Sequence, residues 1–497
     1  MSRKVATGRR VLADHWPVLL AAAVCVGAWL PFLDRPLTND ESGFLLLGQQ
    51  WGHGTSLYGN YWVDRPPLLI GIYALVAHLV PFTTSALGPL DSGVKLLGAV
   101  AGGVSVLLAG RLADVVATDG VCRRAMVATL AAALLCSPLL GMPEADGEVL
   151  AVPFVLAGAC LLVQSLLHSK GRRAVLLAAG AGATATSAAL VKQNAIDVFV
   201  LAAAALFVTR HRMPGTAARL VGFTTGALAV LAAAVAAAAA RGTPAPGLWD
   251  AVVMFRLHAA RVVASSATAS TPLRLSHLGL ALVASGAALV LMVAAAAVLR
   301  DRRRSVLAVP ALAFVAWEVV GVLGGGSYWL HYLTGMVPGL VLLVAVARPG
   351  LRGRRLLRAM IGYAVVAAVV AWGVLLTTPV VASQDALVET YLRAHARPGD
   401  GVVVAFGCPD IVIGSGLHSP YPELWSLPVK VRDHRLRALR RVMAGPQAPR
   451  WMVVSGTSLA SWGLDVARAQ HYLQRHYVEQ VTYGDWHVWR RGERTTG

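Results

Sequence analysis

The sequence predicts a polytopic α-helical membrane protein, with about 11–13 transmembrane helices, that ends in a small C-terminal α/β domain. Three observations carry this. Of the 497 residues, 56% are hydrophobic and only 14% charged, against about 25% charged in soluble globular proteins. Mean hydropathy is +0.62, and apolar runs of spanning or near-spanning length recur along most of the chain. From residue 384 the composition shifts: 24 of the last 114 residues are charged, against 45 of the first 383.

The first apolar run, 17–33, follows Arg3, Lys4, Arg9 and Arg10. No small-residue cleavage site follows it, so it reads as a retained first span with a cytoplasmic N-terminus. Further apolar segments lie at 66–82, 93–112, 123–141, 147–167, 173–191, 195–209, 219–240, 277–299, 305–323, 328–347 and 356–376. Crossing ~30 Å of hydrocarbon takes about 20 helical residues, so 66–82 and 195–209 are marginal. Ala and Gly enrich 173–240, which suits close helix packing in lipid.

A net charge of +19 suggests nucleic acid at first sight. The Lys and Arg residues, however, cluster in short loops between apolar runs: Arg111–Arg124, Lys170–Arg173, Arg210–Arg219, Arg300–Arg304 and Arg348–Arg358. That is the positive-inside pattern of a plasma-membrane protein, and no basic face with interleaved aromatics supports nucleic-acid binding. With these loops cytoplasmic, loops 141–148, 192–194, 241–276 and 324–328 and the tail lie outside. Loop 34–65 must lie outside too. Parity then requires that 66–82, interrupted by Pro66, Pro67, His78 and Pro81, is a partial or re-entrant helix; otherwise Arg111, Arg123 and Arg124 break the rule. Five scattered cysteines with no CxxC spacing point to neither a zinc site nor a disulfide framework.

In the tail, Ser383 caps a helix to about 396 with Asp385 in its first turn. Strands are predicted at 401–406 and 451–455, helices at 432–443 and 465–475, and a strand pair at 478–490 around Gly484. The expected division is a membrane module, 1–383, with its first outer loop at 34–65, and an extracytoplasmic domain, 384–497.

Acidic residues are scarce before the tail, and seven of those fifteen sit in two outer loops: Asp34, Asp40, Glu41 and Asp64, then Glu144, Asp146 and Glu148. Asp34 and Glu148 read as solvated loop charge. Asp40 and Glu41 belong to 38-TNDESGFLLLGQQWGHGTSLYGNYWVDRPPLL-69. There Thr38 or Asn39 caps a helix whose first turn favours ionised carboxylates, and Phe44, Leu45, Leu46, Gln49 and Trp51 predict an amphipathic helix lying in the interface.

This stretch resembles the polytopic glycosyltransferases of the GT-C fold, nearest the protein O-mannosyltransferase and aminoarabinose (lipid A) transferase branch. That branch carries an acidic pair after the first helix, a Leu-Tyr turn and a basic-Pro-Pro-Leu approach to the next segment. Here these are Asp40-Glu41, Leu57-Tyr58 and Arg65-Pro66-Pro67-Leu68. Arg65 stands where Lys is usual and Lys95 where Arg is common, which keeps the charge but changes the geometry of any phosphate contact. Three more stretches fit: 142-MPEADGEVLAVPF-154 with Asp146, 189-ALVKQNA-195 with Lys192, and 331-HYLTGMVPGLVLLVA-345 with His331 and Tyr332. The likeness spans roughly 15–345.

The resemblance implies an inverting transferase that moves a mannose- or pentose-like sugar from a polyprenyl-phosphate donor to a lipid, glycan or protein acceptor at the outer face. It assigns Asp40, Glu41 and Asp146 to catalysis, and Tyr58, Tyr61, Asp64, Arg65, Lys95, Lys192, His331 and Tyr332 to substrate. Elementary chemistry asks for the same groups. An acceptor hydroxyl needs a positioned carboxylate as general base, and a leaving phosphate needs cationic groups beside it. An intramembrane lysine such as Lys192 is costly enough to suggest function, although it can also snorkel from a helix end. Arg256 and His258, in loop 241–276, are candidates for gripping the donor, or form a solvated face. Asp40, Glu41 and Asp146 could hold a divalent cation. Glu318 lies within an apolar segment and needs a partner that the sequence does not name.

The competing class is a transporter or flippase of lipid-linked sugars. It would favour inverted repeats and ionisable residues at mid-membrane, whereas no repeat is visible and the acids gather in loops. A tail that does the chemistry alone is disfavoured by its lack of nucleophile–base or metal-ligand spacing.

Overall fold

The computed structural model describes residues 2–79, 88–116, 120–210, 213–265, 270–302, 305–379, 383–462, 464 and 466–492. In chain order the helices are α1 (Ser2–Trp29), α2 (Asn39–Gln50), α3 (Pro67–Leu79), α4 (Gly88–Val116), α5 (Val121–Leu135), α6 (Gly147–Leu167), α7 (Gly171–Val191) and α8 (Asp197–Thr209). Then come α9 (Thr216–Ala240), α10 (Ala245–Trp249), α11 (Phe255–Ser265), α12 (Ser270–Ala284), α13 (Ala287–Arg300), α14 (Ala308–Gly324), α15 (Val337–Val346) and α16 (Leu351–Thr377). The remainder holds α17 (Gln384–His395), β1 (Val402–Ala405), α18 (Pro409–Ser415), α19 (Ser426–Arg432), α20 (Arg437–Ala444), β2 (Trp451–Ser455), α21 (Ala467–His476), β3 (Tyr477–Tyr483) and β4 (Trp486–Arg491).

Among the described residues six helices are long and apolar enough to cross a membrane, namely α1 from His15, α4 from Ser92, α6, α7, α9 and α16. The chain is a multi-pass membrane protein. The segment expected at 277–299 is not one straight span: α12 and α13 meet at a 64° bend, where Ser285 closes one helix and Gly286, at φ +79°, starts the next. Only a residue that tolerates positive φ can sit there. Helix α3 has 13 residues, about 20 Å at 1.5 Å per residue, too short for ~30 Å of hydrocarbon. Residues 80–82 of that expected segment, and 117–119, 211–212 and 303–304 of the basic loops, lie outside the described residues.

The chain divides into two compact units. The first comprises Met1–Asp34, Gly93–Ala234 and Thr268–Thr378. In it α7 and α9 approach backbone to backbone, because a Cβ at Gly182 would strike the Phe223 carbonyl and one at Gly226 the Ala179 carbonyl. This is the close packing that small residues permit in lipid.

The second unit comprises Arg35–Ser92, Val235–Ala267 and Pro379–Gly497, so residues 384–497 share it with two earlier segments that carry helices of their own. Its sheet runs β1-β2-β4-β3. β1 and β2 are parallel with Val403 opposite Met452, and β4 is antiparallel to both neighbours. The hairpin turns at Gly484, φ +58°. Val403, Phe406, Met443, Met452, Leu473 and Tyr477 belong to its buried core. The helix expected at 432–443 is broken, because the Asp433 carboxylate accepts from Ala438 N and Leu439 N, both at 3.0 Å, and so caps a new helix, α20. Helix α18 was not anticipated from the sequence. The interface-lying reading of α2 is also corrected: Phe44, Leu45 and Leu47 are buried, and Gly48 packs on the backbone of Tyr73 and Ala74 in α3.

Candidate functional site

The sequence-predicted residues gather into two constellations, one in each unit. In the second unit the organising element is the first turn of α2. Thr38 is the N-cap: its Oγ1 accepts from Glu41 N at 3.4 Å, and its own N–H donates to Glu41 Oε2 at 2.8 Å. This reciprocal capping box buries Glu41 completely. Glu41 therefore holds the helix start, a structural duty the sequence reading did not separate from catalysis.

Asp40, freed from capping, turns the other way. Its Oδ1 accepts from Trp425 Nε1 at 2.9 Å, and its Oδ2 lies 3.7 Å from Arg65 Nη2. Arg65 also meets Asp64 Oδ1 at 3.1 Å, and Asp64 Oδ2 meets Arg256 Nη2 at 2.7 Å. Charges thus alternate along Asp40, Arg65, Asp64 and Arg256. Asp64 is the buried member, its side chain 6% exposed, whereas that of Asp40 keeps 35%. A partly open carboxylate flanked by an arginine suits proton acceptance beside an anion.

Tyr58 and Tyr61 serve the scaffold. The Tyr58 hydroxyl, fully buried, donates to the Arg65 carbonyl at 2.8 Å. Burial, and then the Asp64 charge, push its pKa far above the phenol range, so it is a fixed donor and not a base. Tyr61 takes Ser419 N at 3.0 Å, and burial raises its pKa as well. Tyr58→Phe leaves the Arg65 carbonyl without its partner, which should cost about 1–3 kcal/mol and lower the midpoint of thermal inactivation in detergent. His258 is exposed, on a different face of α11 from Arg256.

In the first unit the organising element is the start of α6. Asp146 is its N-cap, Oδ1 accepting from Glu148 N at 3.1 Å and Val149 N at 3.4 Å. His331 Nδ1 sits 3.0 Å from Glu144 Oε2 and 3.1 Å from Asp146 Oδ2. The imidazole reaches that position because residue 141 is glycine: φ is +101° there, and a Cβ would collide with His331. Lys192, the C-cap of α7, pairs with Glu148 and lies 4.8 Å from the Tyr332 ring centre. Glu148, expected as a solvated loop charge, is in fact buried and holds Lys192. Lys95 is fully buried on α4.

Trp29, Ser137, Glu144, Asp146, His331 and Thr334 line a small pocket. The ligand atoms of Glu144, Asp146 and His331 all lie within 4.8 Å of one another, and two carboxylates with one imidazole are a donor set that suits Zn²⁺ or Mn²⁺. The cation set weighed from the sequence, Asp40, Glu41 and Asp146, divides between the two units. Glu144, Asp146 and Glu148 against Lys192 and His331 leave these five side chains net negative even with His331 protonated.

Helix α14 ties the parts of this second constellation together. Trp317 Nε1 donates to the Asn194 carbonyl at 3.0 Å, two residues beyond Lys192. Glu318 Oε1 accepts from Gly339 N at 2.8 Å, in the helix that continues the His331 turn. The partner of Glu318 is therefore the N-terminus of α15, where the dipole favours a carboxylate.

No protein-family model and no curated protein sequence matches the chain. Solved structures do. The chain is similar to ArnT from Cupriavidus metallidurans bound to undecaprenyl phosphate, with TM-score 0.62 and 14% identity over 98% of this chain and 99% of that one. It is also similar to the archaeal oligosaccharyltransferase AglB from Archaeoglobus fulgidus in complex with an inhibitory peptide and a dolichol-phosphate, with TM-score 0.55 and 12% identity over 98% and 75%. The chain has the GT-C fold of these membrane glycosyltransferases.

Proposed function

We propose that this protein is a glycosyltransferase that moves a mannose- or pentose-like sugar from a polyprenyl-phosphate donor to an acceptor hydroxyl at the outer face of the plasma membrane, with inversion. The observation that carries this reading is Asp40, a half-open carboxylate spared from capping its own helix and held between Trp425 and Arg65. The fold adds support, since it is shared with a structure bound to undecaprenyl phosphate and one bound to dolichol-phosphate.

In the reaction, the acceptor oxygen attacks the anomeric carbon and its proton passes to Asp40. The bond from that carbon to the phosphate oxygen breaks, and the electron pair leaves with the polyprenyl phosphate. Arg65 and Arg256, which lie with Asp40 in one unit, are the groups we assign to the growing phosphate charge, which preorganised cations stabilise more than water does. Tyr332 packs against both Lys192 and His331 and fixes their directions. A divalent cation on Glu144, Asp146 and His331 would add charge where these side chains alone are net negative.

Mass spectrometry of envelope glycans and glycoproteins from a deletion strain tests the function. One sugar decoration should disappear and return with the intact gene; an unchanged envelope would contradict the reading. The orientation has its own test. Cysteines introduced at Thr55 and Thr457, both exposed, should be labelled by an impermeant maleimide on intact cells, while native Cys122, exposed in the first turn of α5, stays unlabelled until the cells are opened. Labelling at only one introduced position would overturn the outward placement.

A further inference from the structure

We infer that Trp425, nearly four hundred residues from Asp40 in sequence, is a positioning residue for that carboxylate, so that the C-terminal part of the chain completes the reacting geometry. The inference rests on the general-base reading of Asp40.

An aspartate in the first turn of a helix has several rotamers open to it and competes readily for nearby backbone N–H groups. Here Thr38 and Glu41 have taken the capping role, and the direction of Asp40 is set by a long-range bond instead: Trp425 Nε1 to Oδ1 at 2.9 Å. An indole N–H only donates. It can fix the carboxylate and can never take the proton, which leaves Oδ2, beside Arg65, as the oxygen that receives it.

The surroundings are shaped for the indole. A Cβ on Gly43 would run into its six-membered ring and touch Pro409, so α2 carries glycine in its interior where the indole crosses. The ring also packs at 5.9 Å on Phe44, the same ring that Arg65 overlies at 5.7 Å. The segment bearing Trp425 is clamped on both sides. Before it, Trp62 N donates to the Pro422 carbonyl at 2.9 Å. After it, Arg432 lies 4.0 Å over the Trp62 ring and bonds Glu423 at 2.8 Å.

The test is a double-mutant cycle on the purified full chain in lipid nanodiscs, with a polyprenyl-phosphate sugar as donor. Trp425→Phe keeps a six-membered aromatic ring and removes the pyrrole half of the indole with its N–H. It should lower kcat about tenfold to a hundredfold, the scale of a small misplacement of a reacting group, with donor KM unchanged and only a small fall in the thermal midpoint from the lost ring contacts. Gly43→Ala, which displaces the indole without touching its chemistry, should lower kcat in the same way. In an Asp40→Asn background Trp425→Phe should have no further effect. If Asp40→Asn is inactive and Trp425→Phe keeps parental kcat, the positioning role is overturned and the base stands. If Asp40→Asn is as active as the parent, the base reading fails and this role with it. A Trp425→Phe defect that persists in full on top of Asp40→Asn would assign the indole to some other task and also overturn the proposal.

Discussion

Asp40→Asn should lower turnover by about 10²–10⁴, the usual cost of losing a general base, while folding and donor affinity hold. The substitution is nearly isosteric, and Asn keeps an oxygen that accepts from Trp425 Nε1. Asp40 also has no capping duty whose loss would unwind α2, because Thr38 and Glu41 carry it. Glu41→Gln should behave differently. Its carboxylate is buried and accepts from Thr38 N, an acceptor role that the amide oxygen can take over, so the effect should fall mainly on stability. Turnover and thermal midpoints of the two purified variants separate these outcomes. Asp40→Asn within a few-fold of the parent would remove Asp40 from the chemistry.

Lys192→Ala should give the second large effect, and it has two parts. Removing the ammonium leaves Glu148 buried without its partner, which typically costs about 3–5 kcal/mol, so the single variant should lose stability and donor affinity together. The double variant Lys192→Met with Glu148→Gln removes both charges and should recover much of the stability. If Lys192 binds the donor phosphate, donor affinity stays at least tenfold weaker in the double variant. Recovery of affinity along with stability would reduce Lys192 to a structural partner of Glu148. Donor titration by microscale thermophoresis, read beside the thermal midpoint, makes the separation.

The sequence made the multi-pass helical character legible because hydrophobic length is a local property. It also placed Asp40 in a capped first turn, since the cap signal lies within four residues. The tail strands and the Gly484 hairpin were readable for the same reason. Four features were not. The roles of Glu41 and Asp40 differ only through which one the cap consumes, and the pattern of types is the same either way. Glu148 read as a solvated acid because its partner, Lys192, is 44 residues away, at the far end of the next helix. Trp425 gave no signal at all: its bond to Asp40 spans 385 positions, and only the fold brings the two together. The break between α19 and α20 was missed because Asp433 caps a helix start through contacts that a helical pattern does not display.

The central claim is bond-breaking transfer, and the fate of a label states it most directly. Purified protein in sealed proteoliposomes is given a polyprenyl-phosphate donor radiolabelled in the sugar, together with an acceptor extract of the cell envelope. Label should leave the lipid phase for the acceptor, unglycosylated polyprenyl phosphate should appear in equal amount, and Asp40→Asn should slow both by about 10²–10⁴. Label that stays on the prenyl lipid and only changes leaflet would contradict that claim, and would make the protein a carrier of lipid-linked sugar.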